Sequence, residues 1–237
     1  MNSIKKTARV AGLFYLLMGI AAPISLMYVP GKLIVWGNAT ATANNILTSQ
    51  SLFRIGIVSG LASGIIFIFL ALALYRLLKG VNQPRAALMV ILAVAQVPIG
   101  FVNELNQIAA LVLVRGADFL SAFDKPQRDA LAMLFLHVHG QGIIVSEIFW
   151  GLWLFPFGLL VFRSGFLPRV LGVWLIVNGF AYVTMSLTAL LLPEYQRIVD
   201  KIAFPALLGE MAIMLWLLIM GANAERWKEQ AGAAQAQ

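Results

Sequence analysis

Long apolar runs alternate with short polar segments along the whole chain. Six runs have the length of membrane helices, at about 8–28, 52–78, 86–114, 130–163, 169–192 and 202–222. A helix needs roughly 20 apolar residues to cross a hydrocarbon layer about 30 Å thick, and the polar segments between these runs are short. The pattern therefore predicts an all-α polytopic transmembrane helical bundle of six spans. It forms a single domain over 1–224, with a polar tail over 225–237 and loops over 29–51, 115–129 and 193–201.

Composition supports a membrane protein. The chain is 61% hydrophobic and 11% charged, with a mean hydropathy of +0.87, whereas soluble domains have about 45–50% apolar and about 25% charged residues. The absence of cysteine excludes disulfides, thiolate metal sites and thiol nucleophiles. The net charge of +7 is spread over the loops, so it indicates topology rather than nucleic-acid binding. The predicted partner is the lipid bilayer, and no feature predicts an oligomeric state.

The distribution of lysine and arginine predicts the orientation. Six spans place both termini on one side, and positive charge marks the cytoplasmic side. That side would carry Lys5, Lys6, Arg9, Arg76, Lys79, Arg85, Arg163, Arg169, Arg226 and Lys228, and the other side Lys32, Arg54, Arg115, Lys125, Arg128, Arg197 and Lys201. The excess predicts that both termini are cytoplasmic.

The first apolar run follows a basic start, as the core of a signal peptide does. Its roughly 18 apolar residues exceed the usual 7–15 of such a core. We therefore predict a retained helix.

Glycine recurs every four residues in the second run, at Gly56, Gly60 and Gly64. Small residues at this spacing let another helix approach closely. The bundle itself can supply that helix, so the pattern predicts close packing within the molecule.

Three glutamates lie inside apolar runs: Glu104, Glu147 and Glu210. Glu104 is eleven residues from Arg115, or roughly 16 Å along a helix, which places it near mid-membrane. Glu210 has a similar depth, and Glu147 belongs to the outer half. A charge near the bilayer centre costs about 2.5–3.5 kcal/mol on insertion scales, so each carboxyl group must face the interior, pair or bind a proton.

One face of the third run is polar. Gln96, Gly100, Asn103 and Gln107 follow helical spacing, and Glu104 lies beside them. This face predicts a wet cavity lined by the three glutamates, in which Asn103 and Gln107 orient a solute. His139 or Arg54 would then tune the carboxyl groups. The alternative is that these amides only hold neighbouring helices together, at about 0.6–2 kcal/mol each.

His137, His139 and Glu147 are the candidates for a metal site. Residues two apart point about 200° apart on a helix, so both histidines could bind one ion only if Gly140 broke the helix. The HExxH arrangement is absent, and no other run carries a second histidine for a haem. The GxSxG motif of serine hydrolases is also missing. The sequence therefore singles out no cofactor and no catalytic residue, which favours a protein that is not an enzyme.

Phe149 to Val173, reading FWGLWLFPFGLLVFRSGFLPRVLGV, resembles the signature of the bacterial family known as domain of unknown function 4386. The opening RVAGLFYL and the segment ALALYRLLKGVNQPRAAL are similar to the same family. The resemblance implies a bacterial membrane protein of six or seven helices, located in the inner membrane. It brings no activity and no ligand.

These observations leave three functions open. The first is an integral membrane protein whose polar cavity binds or transports a small cationic or protonatable solute. The second is a structural or regulatory subunit without a ligand, in which the polar residues only fix helix packing. The third is a membrane-embedded, metal-dependent hydrolase.

Overall fold

The computed structural model describes the backbone of residues 3–235 and the side chains of residues 4–229. Every regular element within this part of the chain is helical. Six helical stretches are long and apolar enough to cross a membrane: Ile4–Leu33, Gln50–Leu78, Gln83–Arg115, Lys125–Arg163, Arg169–Leu191 and Pro193–Ile219. The predicted all-α fold with six apolar spans is confirmed, and the chain is a multi-pass membrane protein.

The helices follow one another with short connections. They are α1 (Ser3–Pro23), a π-helical turn (Ile24–Tyr28), α2 (Val29–Leu33), α3 (Ala39–Thr48), α4 (Gln50–Leu78), α5 (Gln83–Arg115), α6 (Lys125–Leu152), α7 (Leu154–Arg163), α8 (Arg169–Leu191), α9 (Gln196–Ile219) and α10 (Ala224–Gln235). Short 3₁₀ turns lie at Asp118–Leu120 and Pro193–Tyr195.

The prediction of a loop over 29–51 was wrong, because α2 and α3 occupy most of it. Asn38 caps α3, since its side chain accepts a hydrogen bond from the backbone N–H of Ala41 at 2.9 Å. Thr42 then accepts from the N–H of Val35 at 2.9 Å, which ties the helix back to the preceding turn. The helix depends on these local caps rather than on an apolar run, so hydrophobicity alone missed it.

Two other predicted loops are shorter than expected. Within the segment 115–129, a reciprocal cap marks the start of α6. The Gln127 N–H donates to the Asp124 carboxylate at 2.8 Å, and the Asp124 N–H donates to the Gln127 side chain at 2.9 Å. Helix α6 therefore begins at Lys125, and helix α9 likewise begins within 193–201, at Gln196. The predicted tail is helical as α10, and its residues 236 and 237 lie outside the described part of the chain.

Close contacts divide the chain into two compact units. The first unit comprises Met1–Leu17, Ile66–Val97 and Ile144–Gln237, and the second comprises Met18–Ile65 and Pro98–Ile143. In the second unit the buried core includes Val29, Ile46, Phe53, Ala110 and Leu136. In the first unit the largest buried side chains include Trp153, Leu154, Phe157, Leu160 and Leu175.

Glycines bring α7 and α8 into backbone contact in the first unit. A β-carbon placed on Gly172 would lie 2.6 Å from the carbonyl oxygen of Gly158 and 2.6 Å from the amide nitrogen of Phe162. Gly151 and Gly179 make a similar contact, because a β-carbon on Gly151 would lie 2.5 Å from the carbonyl oxygen of Gly179. Lipid tails are as apolar as side chains, so such close packing is a main source of helix association in a bilayer.

Candidate functional site

Four polar side chains of the second unit form a buried hydrogen-bonded group, which we call the Glu104 network (Asn103, Glu104, Gln107 and His139). Helix α5 supplies the first three residues and α6 supplies the histidine. Glu104, Gln107 and His139 are each less than a tenth exposed. The Gln107 side-chain nitrogen lies 2.9 Å from Glu104 Oε2 and 3.0 Å from His139 Nε2. Gln107 therefore bridges the acid and the imidazole.

The partners of His139 define its tautomer. Its Nδ1 atom lies 3.1 Å from the backbone carbonyl oxygen of Asn103, which can only accept a hydrogen bond. Nδ1 therefore carries a hydrogen, and Nε2 accepts from one amide hydrogen of Gln107 while the other amide hydrogen goes to Glu104. In return, the Asn103 side chain donates to the backbone carbonyl of His139 at 2.9 Å. The network is consistent with a neutral imidazole and ties α5 to α6 by reciprocal bonds.

His137 does not join this group. Helix α6 is continuous through Gly140, so the two histidines stay on different faces. His137 is exposed and lies 3.5 Å from the side-chain nitrogen of Gln141, whereas His139 is buried. Within the described part of the chain, no three His, Cys, Asp or Glu side chains are grouped to hold a metal ion.

We expect Gln107→Leu to lower the free energy of unfolding by about 2 kcal/mol, because it leaves a buried carboxyl group and a buried imidazole without their shared donor. The loss can be measured by SDS titration in mixed micelles. Gln141→Leu is the matched control, since Gln141 is exposed on α6 of the same unit, and it should change stability by less than about 0.5 kcal/mol. Equal losses in the two variants would contradict a role for the bridge.

A second polar group lies in the first unit, and we call it the Glu210 centre (Tyr15, Asn178, Tyr182 and Glu210). The Tyr15 hydroxyl donates to Glu210 Oε1 at 2.6 Å. Tyr182 and Asn178 also lie beside the Glu210 carboxyl group, close enough to interact with it electrostatically. Three neutral polar side chains, from α1 and α8, thus surround one acid of α9.

Aromatic packing fixes Tyr15 in this centre. The Tyr15 ring is 3% exposed and lies 6.3 Å, centroid to centroid, from Trp153. Trp153 in turn stacks on Phe157 at 5.2 Å and meets Phe67 edge to face at 5.0 Å. The hydroxyl that faces Glu210 is therefore carried by a rigid, fully packed ring.

Asn178 has unused hydrogen-bonding capacity. It is fully buried, and its side-chain nitrogen lies 3.5 Å from the carbonyl oxygen of Leu207. Its Oδ1 atom has no hydrogen-bond partner within the part of the chain that the structure describes. A buried carbonyl without a donor costs about 1–3 kcal/mol, so a bound donor or cation would stabilise this position.

Glu147 belongs to the same unit as the Glu210 centre. It lies close enough to Tyr182 and Asp200 to interact with both electrostatically. Asp200 accepts a hydrogen bond of 2.6 Å from the Gln196 side chain. The carboxyl group of Glu147 therefore lies near Tyr182, and that of Asp200 lies near Glu147; both belong to the first unit.

None of the three predicted glutamates forms an ion pair with lysine or arginine among the residues that the structure describes. Arg54, the predicted basic neighbour, is exposed on α4. Glu104 lies in the second unit, whereas Glu147 and Glu210 lie in the first. The common cavity of the three acids and the tuning role of Arg54 both stay predictions.

Comparison with known proteins identifies the family. The sequence profile of the family described as Domain of unknown function (DUF4386) matches residues 10–221. The chain belongs to this family. No curated protein and no solved structure matches the chain. The match to DUF4386 covers both polar groups, including Tyr15 near its beginning and Glu210 near its end.

Three members of the Glu210 centre in this DUF4386 protein were not predicted from the sequence: Tyr15, Asn178 and Tyr182. A signal for two of them was present, because Asn178, Tyr182 and Ser186 are spaced by four residues and share a face of α8. Ser186 is fully buried and donates to the carbonyl oxygen of Ile144 at 2.7 Å. For Tyr15 no comparable pattern exists, since it is isolated among apolar residues.

Proposed function

We propose that this DUF4386 protein binds a small cationic or protonatable solute at the Glu210 centre and carries it across the membrane. The supporting observation is that a membrane-embedded acid accepts a hydrogen bond from Tyr15 and lies beside two further neutral side chains, Tyr182 and Asn178. An acid in this setting binds a proton or meets a cation, because an unpaired charge in the membrane interior costs several kcal/mol. These neutral neighbours orient the carboxyl group without neutralising its charge.

The surroundings of Glu210 suit an organic cation. Two of its three neighbours are tyrosines, whose ring faces attract ammonium and guanidinium groups. Tyr182 packs edge to face on Trp150 at 5.8 Å, which adds another aromatic ring beside Tyr182. Glu147 would supply further negative charge near Tyr182, so the proposed solute carries at least one positive charge or a dissociable proton.

The other predicted residues take supporting roles in this proposal. Glu104 carries a proton or a cation in the second unit, with Gln107 and Asn103 holding it in place and His139 accepting a hydrogen bond from Gln107. Arg54 adds positive charge in the same unit. The protein would work in the bacterial inner membrane with both termini in the cytoplasm, as the distribution of basic residues predicts.

We expect Glu210→Gln to weaken cation binding by at least about tenfold, because it removes the negative charge while keeping the size of the side chain. Three probe cations of increasing size, methylammonium, guanidinium and tetraphenylphosphonium, can be titrated calorimetrically into the purified protein. Proteoliposomes containing a pH-sensitive dye then test whether the cation that binds also moves.

Glu194→Gln is the matched control for this substitution. Glu194 is exposed in the 3₁₀ turn before α9, so its replacement removes the same charge from a solvated position. The control should bind the probe cations as the wild type does. If all three probes bind neither protein, or bind Glu210→Gln as well as the wild type, the proposed function is wrong.

A structural role is the second candidate, and the Glu104 network supports it. The side chains of Gln107 and His139 are paired within the network, and the reciprocal bonds between Asn103 and His139 join two helices. Such a network can fix helix register without any ligand. Neutral substitutions at Glu104, Glu147 and Glu210 together would favour this role over transport if they left both cation binding and the phenotype of the cells unchanged.

A further inference from the structure

We propose that the second unit contains a sodium site between Ser25 and Glu104. It goes beyond the function proposed above, because it names the inorganic ion bound in the second unit and the residues that bind it. Only its use as a coupling ion would rest on that function. Three features carry the inference: a backbone carbonyl released by a π turn, a buried hydroxyl without a partner among the described residues, and a carboxylate oxygen beside the same glycine as that hydroxyl.

The first feature is the π-helical turn Ile24–Tyr28. The N–H of Val29 donates to the carbonyl oxygen of Ile24, five residues earlier, instead of to that of Ser25. The next residue, Pro30, has no N–H to offer. The carbonyl of Ser25 therefore loses both the i+4 and the i+5 donor that a helix can provide. Single π turns of this kind often mark functional sites.

The second feature is the side chain of Ser25. It is 3% exposed, and its hydroxyl oxygen has no hydrogen-bond partner within the described part of the chain. A buried hydroxyl without a partner costs about 1–3 kcal/mol. The position is therefore stabilised by a bound species that contacts the hydroxyl oxygen.

The third feature is the placement of Glu104 opposite this serine. The Gln107 side chain donates a hydrogen bond to Oε2 of the carboxyl group. The other oxygen, Oε1, lies beside Gly60. A β-carbon on Gly60 would overlap Oε1 and would lie 2.9 Å from the hydroxyl oxygen of Ser25. Both oxygens therefore lie beside the same glycine, and a side chain at residue 60 would displace them.

The charge and the donor atoms favour sodium. Hydroxyl, carbonyl and carboxylate oxygens are hard ligands, which bind alkali and alkaline-earth cations rather than soft metals. One carboxylate balances one positive charge, whereas a divalent ion would leave a net charge inside the membrane. The contacts of His139, which shares Gln107 with Glu104, are consistent with a neutral imidazole. A neutral imidazole adds no positive charge that would compete with a cation.

Thermal unfolding of the purified full-length protein tests the site. The melting temperature would be compared in NaCl, KCl and choline chloride at equal ionic strength. We expect NaCl to raise it in a concentration-dependent manner that the other salts do not reproduce. Broadening of the sodium NMR signal by the wild-type protein gives a second measure that requires no variant.

Two substitutions and one control locate the ion. Ser25→Ala and Gly60→Ala should each weaken the apparent sodium affinity by at least about tenfold, through loss of a ligand and through displacement of the two oxygens, respectively. Ser121→Ala removes a hydroxyl from an exposed turn and should leave the sodium response unchanged.

Two results would overturn the site: a wild-type protein that neither broadens the sodium signal nor responds specifically to NaCl, or a Ser25→Ala variant that keeps the full sodium response. A negative result here would not contradict the proposed cation binding at Glu210. Calorimetry with the organic cations in sodium-free buffer tests that centre separately.

Discussion

Gly172→Ala is expected to lower the free energy of unfolding by about 3 kcal/mol, the upper end of what overpacking usually costs. The new methyl group would meet the backbone of α7 at 2.6 Å, at both the Gly158 carbonyl oxygen and the Phe162 amide nitrogen. Backbone atoms cannot swing aside as the end of a long side chain can, so α7 and α8 must separate. SDS titration in mixed micelles, followed by tryptophan fluorescence, measures the loss.

Gly100→Ala provides the control for this loss. Gly100 also lies inside a helix, but a β-carbon there would meet nothing within 4 Å. Alanine is the better helix former by roughly 0.5–1 kcal/mol, so this variant should be as stable as the wild type or slightly more stable. Similar behaviour of the two variants would show that the contact between α7 and α8 is not needed for stability.

Trp153→Ala is expected to cost about 3–5 kcal/mol, the range for removing a large aromatic side chain from a core. Trp153 is 2% exposed and touches Tyr15, Phe67 and Phe157 through ring contacts. In a bilayer the loss comes mainly from dispersion contacts, because exposing apolar surface to lipid costs little. The same SDS titration measures it.

This substitution also links packing to the Glu210 centre. Without Trp153 the ring of Tyr15 loses one of its packing contacts, so its hydrogen bond to Glu210 should be less well ordered. Cation binding at Glu210 should therefore weaken. Trp36→Ala is the control, because Trp36 is 64% exposed and its loss should change neither stability nor binding. Stability lost with binding unchanged would show that Tyr15 is positioned without this stack.

The spans could be predicted from sequence because a single physical requirement governs them. About twenty consecutive apolar residues are needed to cross the hydrocarbon, and that requirement is visible residue by residue. Helix α3 was not predicted, because its formation depends on Asn38 as a cap and on a hydrogen bond between Thr42 and Val35. Such bonds are local, but their residue types are as common in turns as in helices.

The residues of the Glu104 network could be predicted from the sequence, whereas the partners of Glu210 could not, for a different reason. Asn103, Glu104 and Gln107 share one face of α5, so a single helical period reveals them, and Glu104 and Gln107 are buried there. The partners of Glu210 come from α1 and α8, and tertiary packing alone brings Tyr15 to an acid 195 positions away. The role proposed for Ser25 could not be predicted from the sequence, because it rests on the π turn, which depends on the register of hydrogen bonds before Pro30.

The lengths of α5 and α6 bear on how the protein responds to membranes of different thickness. Their 33 and 28 residues correspond to about 50 Å and 42 Å of helix, well above the roughly 30 Å of a hydrocarbon layer. A thicker bilayer can cover more of these helices before either the lipid or the protein has to deform. Hydrophobic mismatch would then be absorbed at the helix ends, and the hydrogen bonds around Glu104 would keep their geometry across bilayers of different lipid composition.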